Sequence, residues 1–158
     1  MQILLCKGVR TMTTARQSQV NITSNGVRRL GYLVGIVVSA GILFAVNNLL
    51  EWDIVPFLTA DFEQLAPIIN ASLVASIVVN AIWILYDAAW IRSTGQIILN
   101  LTSIAVLALT LRVFPFDFSP YSFDWESLAK GLILFLIIAL VIATIVEIAK
   151  LVSAIINS

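Results

Sequence analysis

The residues of this chain equipped for chemistry are few, and six of them fall in or beside long apolar runs: Asn80, Asp87, Arg92, Gln96, Asn100 and Glu147. A carboxylate placed in a membrane can bind a cation, relay a proton or be neutralised by a base. Amides in the same setting can hydrogen-bond from helix to helix. Other chemistries are closed to the chain alone. With no histidine it builds no His-ligated haem, no His-bearing zinc site and no Ser-His-Asp triad. Its single cysteine, Cys6, allows no internal disulfide and no relay through paired thiols. No metal site and no cofactor is therefore expected. Two groups of acids are candidates for acid–base work, Asp87 with Glu147 and, separately, Asp117 with Asp124 and Glu126. Neither has the spacing of a catalytic motif, so the expectation is that the chain is not an enzyme.

Composition says what must position these groups. Hydrophobic residues make up 60% of the 158 and charged ones only 11%. A soluble domain is roughly half apolar and a quarter charged, so the excess points to a membrane protein. Charge-free runs occupy residues 30–50, 64–86, 93–111 and 131–146. A helix needs about 20 apolar residues to cross a bilayer. Three runs suffice, and the fourth is extended by Lys130, Glu147 and Lys150 at its ends, whose lysines can snorkel. The expected fold is all-α, an integral membrane bundle of four transmembrane helices at about 30–50, 64–90, 94–114 and 127–151. Residues 1–29 read as a disordered basic tail and 152–158 as a short C-terminal tail.

Local signals punctuate this scheme. Asp61 with Gln64 reads as a capping box, with Pro67 in the first turn of the second helix, and Asp124 with Ser127 as a cap on the fourth. Ser93, Thr94 and Gly95 read as the tight turn between helices two and three. Residues 61–66 align with 124–129, as two helical hairpins in weak parallel repeat would, although convergence on similar caps is the favoured explanation.

Direction follows from the basic residues. Lys7, Arg10, Arg16, Arg28, Arg29, Arg92 and Lys150 lie on one side, and Arg112 and Lys130 on the other. This places both termini in the cytoplasm, in a cytoplasmic (plasma) membrane. The opposite loops hold most of the acids and many aromatics, as in "FPFDFSPYSFDWE", and read as an interfacial belt rather than a cage for a cation.

On a helix, Ser72, Ser76, Asn80, Trp83 and Asp87 share one face, and Gln96, Asn100, Ser103, Leu107 and Thr110 line another. Both stripes are expected to face a common interior. Gly31, Gly35 and Ser39 form a ridge of small residues on which a second helix can pack closely. Asp87 stands about 30 Å along helix two, at the inner interface, level with Arg92 and Glu147. Asn80, Gln96 and Asn100 are expected to extend that cluster inward. Two functions compete. One is a non-enzymatic scaffold or subunit, with lipid, other membrane subunits or its own copies as partners and no nucleic acid. The other is a small oligomeric transporter or channel with a polar vestibule. The absence of an acid at mid-membrane favours the first.

Overall fold

The computed structural model describes residues 26–49, 51–52 and 55–156. Among the described residues, four helices are long and apolar enough to cross a membrane: α1 (Gly26–Asn48), α2 (Ala66–Leu85), α3 (Ala89–Val113) and α4 (Trp125–Ile156). A 3-10 turn, Ala60–Gln64, precedes α2. The expected all-α membrane bundle is what the chain forms. No more than 17% of the most apolar window of any span is buried inside the chain, so most of the helical surface is left for hydrocarbon.

The helix limits differ from expectation in ways that matter for the site. Residues 26–29, assigned to the basic tail, are the first turn of α1, and residues 1–25 lie outside the described residues. Helix α2 stops at Leu85 rather than 90, and α3 begins at Ala89 rather than 94. Ser93, Thr94 and Gly95 are therefore inside α3, and the turn is Tyr86-Asp87-Ala88. Extended backbone makes that turn without glycine or proline: Tyr86 has φ −132° and ψ 93°, and Ala88 has φ −85° and ψ 144°. Helix α4 starts two residues early because the Ser127 N–H donates to Asp124 Oδ1 at 3.1 Å, a side-chain N-cap. It runs on to Ile156, past the expected 151, because residues 152–156 hold no glycine or proline. Asp61 and Gln64 do meet, at 3.0 Å, but inside the 3-10 turn. Helix α2 has no side-chain cap, and Pro67 occupies its second position. The aligned segments 61–66 and 124–129 thus take different local structures.

Pairing of α1 with α2 is antiparallel and polar along its length. Asn47 and Asn70 exchange amide hydrogen bonds at 3.1 and 2.9 Å, Ser39 meets Ser76 at 3.0 Å, and the Tyr32 and Trp83 rings lie 5.3 Å apart. Numbers fall along one helix as they rise along the other. Helix α3 packs on both α2 and α4, most extensively on α4, while α2 and α4 make no close approach. Helix α3 ends at Phe114, whose left-handed backbone (φ 44°) is followed by the fully buried Pro115. A non-glycine residue there costs about 1 kcal/mol. The Phe114 ring is held edge-on against Phe116 and under the Lys130 ammonium, 4.6 Å from its centre.

At this acidic end the two long connections clasp each other. Leu58 and Phe116 form an antiparallel bridge, Thr59 N–H donates to Pro115 O (2.9 Å) and Asp117 N–H to Phe57 O (2.8 Å). Asp117 and Asp124 sit on the same surface. The Ser119 hydroxyl and N–H hold the Asp117 carboxyl below its usual range, and the Ser127 hydroxyl and N–H do the same for Asp124. A carboxylate with a lowered folded pKa stabilises the fold above the unfolded value, near 4, and that help is lost as pH falls through the lower folded value. Carbon-13 NMR titration of both carboxyls is expected to give midpoints below about 3.9. Midpoints at or above that value would remove the serine bonds from the account.

Candidate functional site

The candidate residues converge at the opposite, basic end. The turn between α2 and α3 presents Asp87 with its side chain 19% exposed. Arg92, in the first turn of α3, donates from Nη1 to Asp87 Oδ1 at 2.5 Å. Arg28, in the first turn of α1, reaches Oδ2 at 3.1 Å. The Tyr32 hydroxyl approaches Oδ1 at 3.5 Å, the outer limit of a hydrogen bond. One carboxylate thus ties the start of α1 to the α2–α3 turn, and two guanidinium groups oppose its single charge.

Glu147 is paired separately. Its Oε1 accepts from Lys150 Nζ at 2.6 Å, one turn along α4. Between these two groups lies a cavity of about 390 Å³ with walls from all four helices: Tyr32 of α1, Trp83 of α2, Ala89, Arg92, Ser93 and Gln96 of α3, and Glu147, Lys150 and Ala154 of α4. Two cations and one anion line it.

Gln96 and Asn100 continue inward along α3. Gln96 donates from Nε2 to Asn100 Oδ1 at 3.0 Å, and Asn100 is only 3% exposed. The Asn100 amide nitrogen has no hydrogen-bond partner among the described residues.

Asn80 does not extend this cluster. It turns back to Ser76, donating to its carbonyl at 2.8 Å, and packs on Gly35. A Cβ at Gly35 would stand 2.9 Å from Asn80 Oδ1. Of the small-residue ridge, Gly35 and Ser39 are therefore consumed inside the chain, against Asn80 and Ser76. Among the described residues, nothing lies within 4 Å of where a Gly31 Cβ would be. The two polar stripes share an interior only in part: Trp83 lines the cavity with Gln96, whereas Ser76 and Asn80 belong to the α1–α2 seam.

Arg28, Tyr32, Ser93 and the Asn47–Asn70 pair were not among the residues singled out by spacing. Arg28 reads in sequence as one more basic residue beside a first span. Only the antiparallel register, which sets position 28 against 87, could have flagged it. At the acidic end, Phe57, Phe118, Tyr121 and Trp125 line a second cavity of about 410 Å³ with almost wholly apolar walls.

Fold and site together define a multi-pass membrane protein whose four spanning helices meet around a charged cavity at one end. Comparison with protein-family models, with curated proteins and with solved structures finds no match.

Proposed function

We propose that the chain is a non-catalytic scaffold or subunit of the plasma membrane, with both termini in the cytoplasm, that packs against membrane partners or copies of itself. One observation carries this reading: most of the polar side chains along the spans are engaged with this chain's own helices. Asp87 is matched by Arg28 and Arg92, Ser39 by Ser76, and Asn47 by Asn70. Groups spent in this way fix helix positions, each interhelical hydrogen bond adding about 1 kcal/mol or less. Outer faces stay apolar, as at Val27, Leu30 and Val34 around Gly31, all of them exposed. Gly31 therefore remains available for a neighbouring helix to approach.

A second reading, a small oligomeric transporter or channel, is favoured by the cavity lined by Arg92, Gln96, Glu147 and Lys150. Purified protein in vesicles loaded with a pH-sensitive or cation-sensitive dye separates the two. The scaffold reading expects no flux above protein-free vesicles. It also expects a purified assembly that survives Asp87→Asn and is lost with Gly31→Leu. Proton or cation flux abolished by Asp87→Asn or Glu147→Gln would replace it with the transporter.

A further inference from the structure

We infer that the cavity at the basic end binds a phosphate-bearing anion, presented by the headgroup of an anionic membrane lipid. This inference stands apart from the scaffold reading and does not depend on it.

Charge is the first argument. Arg92 and Lys150 line the cavity against the single carboxylate of Glu147, so the wall carries one surplus positive charge. Asp87 is not part of the wall, and its carboxylate is shared between Arg92 and Arg28. The Tyr32 and Ser93 hydroxyls add neutral donors to the same wall. Helix α3 begins at the cavity with Ala89, and its N-cap, Ala88, supplies no side-chain acceptor for the first N–H groups. The positive end of that helix adds to the attraction for an anion. A cation entering here would meet two like charges for each opposite one.

Depth supplies the second argument. Helix α2 has 20 residues, about 30 Å at 1.5 Å each, which matches the hydrocarbon thickness. Its end at Leu85, and the cavity beside it, therefore lie at headgroup level. Gln96 on the wall is about 10 Å further in along α3, level with the upper part of the acyl chains. Trp83, Ala89 and Ala154 give the same wall apolar surface. A volume of about 390 Å³ lies within the range of small-molecule sites. Basic pockets between spanning helices recognise lipid phosphates by this combination of charge and depth.

Native mass spectrometry of the detergent-solubilised full chain provides the test. The probes are short-chain phosphatidylglycerol, phosphatidylcholine of equal chain length, and inorganic phosphate. Phosphatidylglycerol is expected to bind several-fold more tightly than phosphatidylcholine. One charge near a membrane surface is worth roughly fivefold in affinity, and the wall charge can be set by substitution. Glu147→Gln should tighten phosphatidylglycerol binding by about that factor, and Lys150→Gln should weaken it by as much. The double variant Glu147→Gln with Lys150→Gln should return near the original, and Lys130→Gln at the far end should change nothing. Weakening by Glu147→Gln, the mark of a cation site, would overturn the inference, as would equal binding of the two lipids. Competition by millimolar phosphate would support the anion site and assign it to the free ion. Resistance to that competition would support the lipid.

Discussion

Gly95→Leu is expected to remove about 3 kcal/mol of stability, although leucine is the better helix former by roughly 0.8 kcal/mol. A Cβ at Gly95 would stand 2.7 Å from Val79 Cγ1 and 2.9 Å from both Cζ2 and Nε1 of Trp83. None of these atoms can retreat easily. Val79 and Trp83 are buried, the indole N–H is tied to the Ile91 carbonyl at 3.3 Å, and the Tyr32 ring packs on the indole at 5.3 Å. The added side chain must therefore push α3 away from α2. It would carry with it the turn that holds Asp87 against Arg92. Gly31→Leu is the matched control, since a Cβ there meets open space. Its effect on the isolated chain should stay within about 0.5 kcal/mol. Unfolding in mixed micelles by SDS titration reads both. Equal losses at the two glycines would contradict the close approach of α2 and α3.

The second large effect is expected at Asp87. Asp87→Leu leaves Arg28 and Arg92 facing each other with no carboxylate between them. Breaking a fully buried pair by removing one partner costs about 3–5 kcal/mol. Here the arginine side chains are 45% and 36% exposed, so water screens much of that. A loss of about 2 kcal/mol is expected, with Asp87→Asn losing less because it keeps an acceptor. Arg92→Gln should cost less than Asp87→Leu, since Arg28 still neutralises the carboxylate. A double-mutant cycle over Asp87 and Arg92 should give a coupling of about 1 kcal/mol. By contrast, Glu126→Gln should be barely measurable, because the Glu126–Lys130 pair is exposed on both sides. If Asp87→Leu proves as mild as Glu126→Gln, the tie between α1 and the α2–α3 turn is not a structural one.

How far the sequence discloses these features depends on the length of chain that encodes each. Four spans are written over about 20 residues apiece, and the hydrocarbon thickness sets that length whatever the side-chain detail. The placement of Asp87 and Arg92 at one end follows from the same arithmetic. The turn between α2 and α3 was misplaced because Gly95 has two uses. Its missing side chain serves the approach of Trp83, not a change of chain direction. The real turn, Tyr86-Asp87-Ala88, carries no glycine or proline, so nothing local announces it. Asn80 reads as a member of the Asp87 cluster by helical spacing, yet it bonds to Ser76 and faces Gly35. Spacing gives the face of a helix but not the neighbour that the face meets. Arg28 escapes for the same reason, since its partner is set by interhelical register.

The clasp at the acidic end joins segments from opposite sides of α2 and α3 in the sequence, Phe57–Thr59 with Pro115–Asp117. During synthesis the first segment reaches its surface long before the second exists. The bridge can close only after α3 has crossed in the proper sense and delivered Pro115 to the face where Thr59 waits. An inverted α3 would strand Pro115 on the far side of the bilayer, leaving the Thr59 N–H and the Phe57 carbonyl without these partners. Closure of this small bridge is thus open only to chains whose second hairpin has threaded correctly.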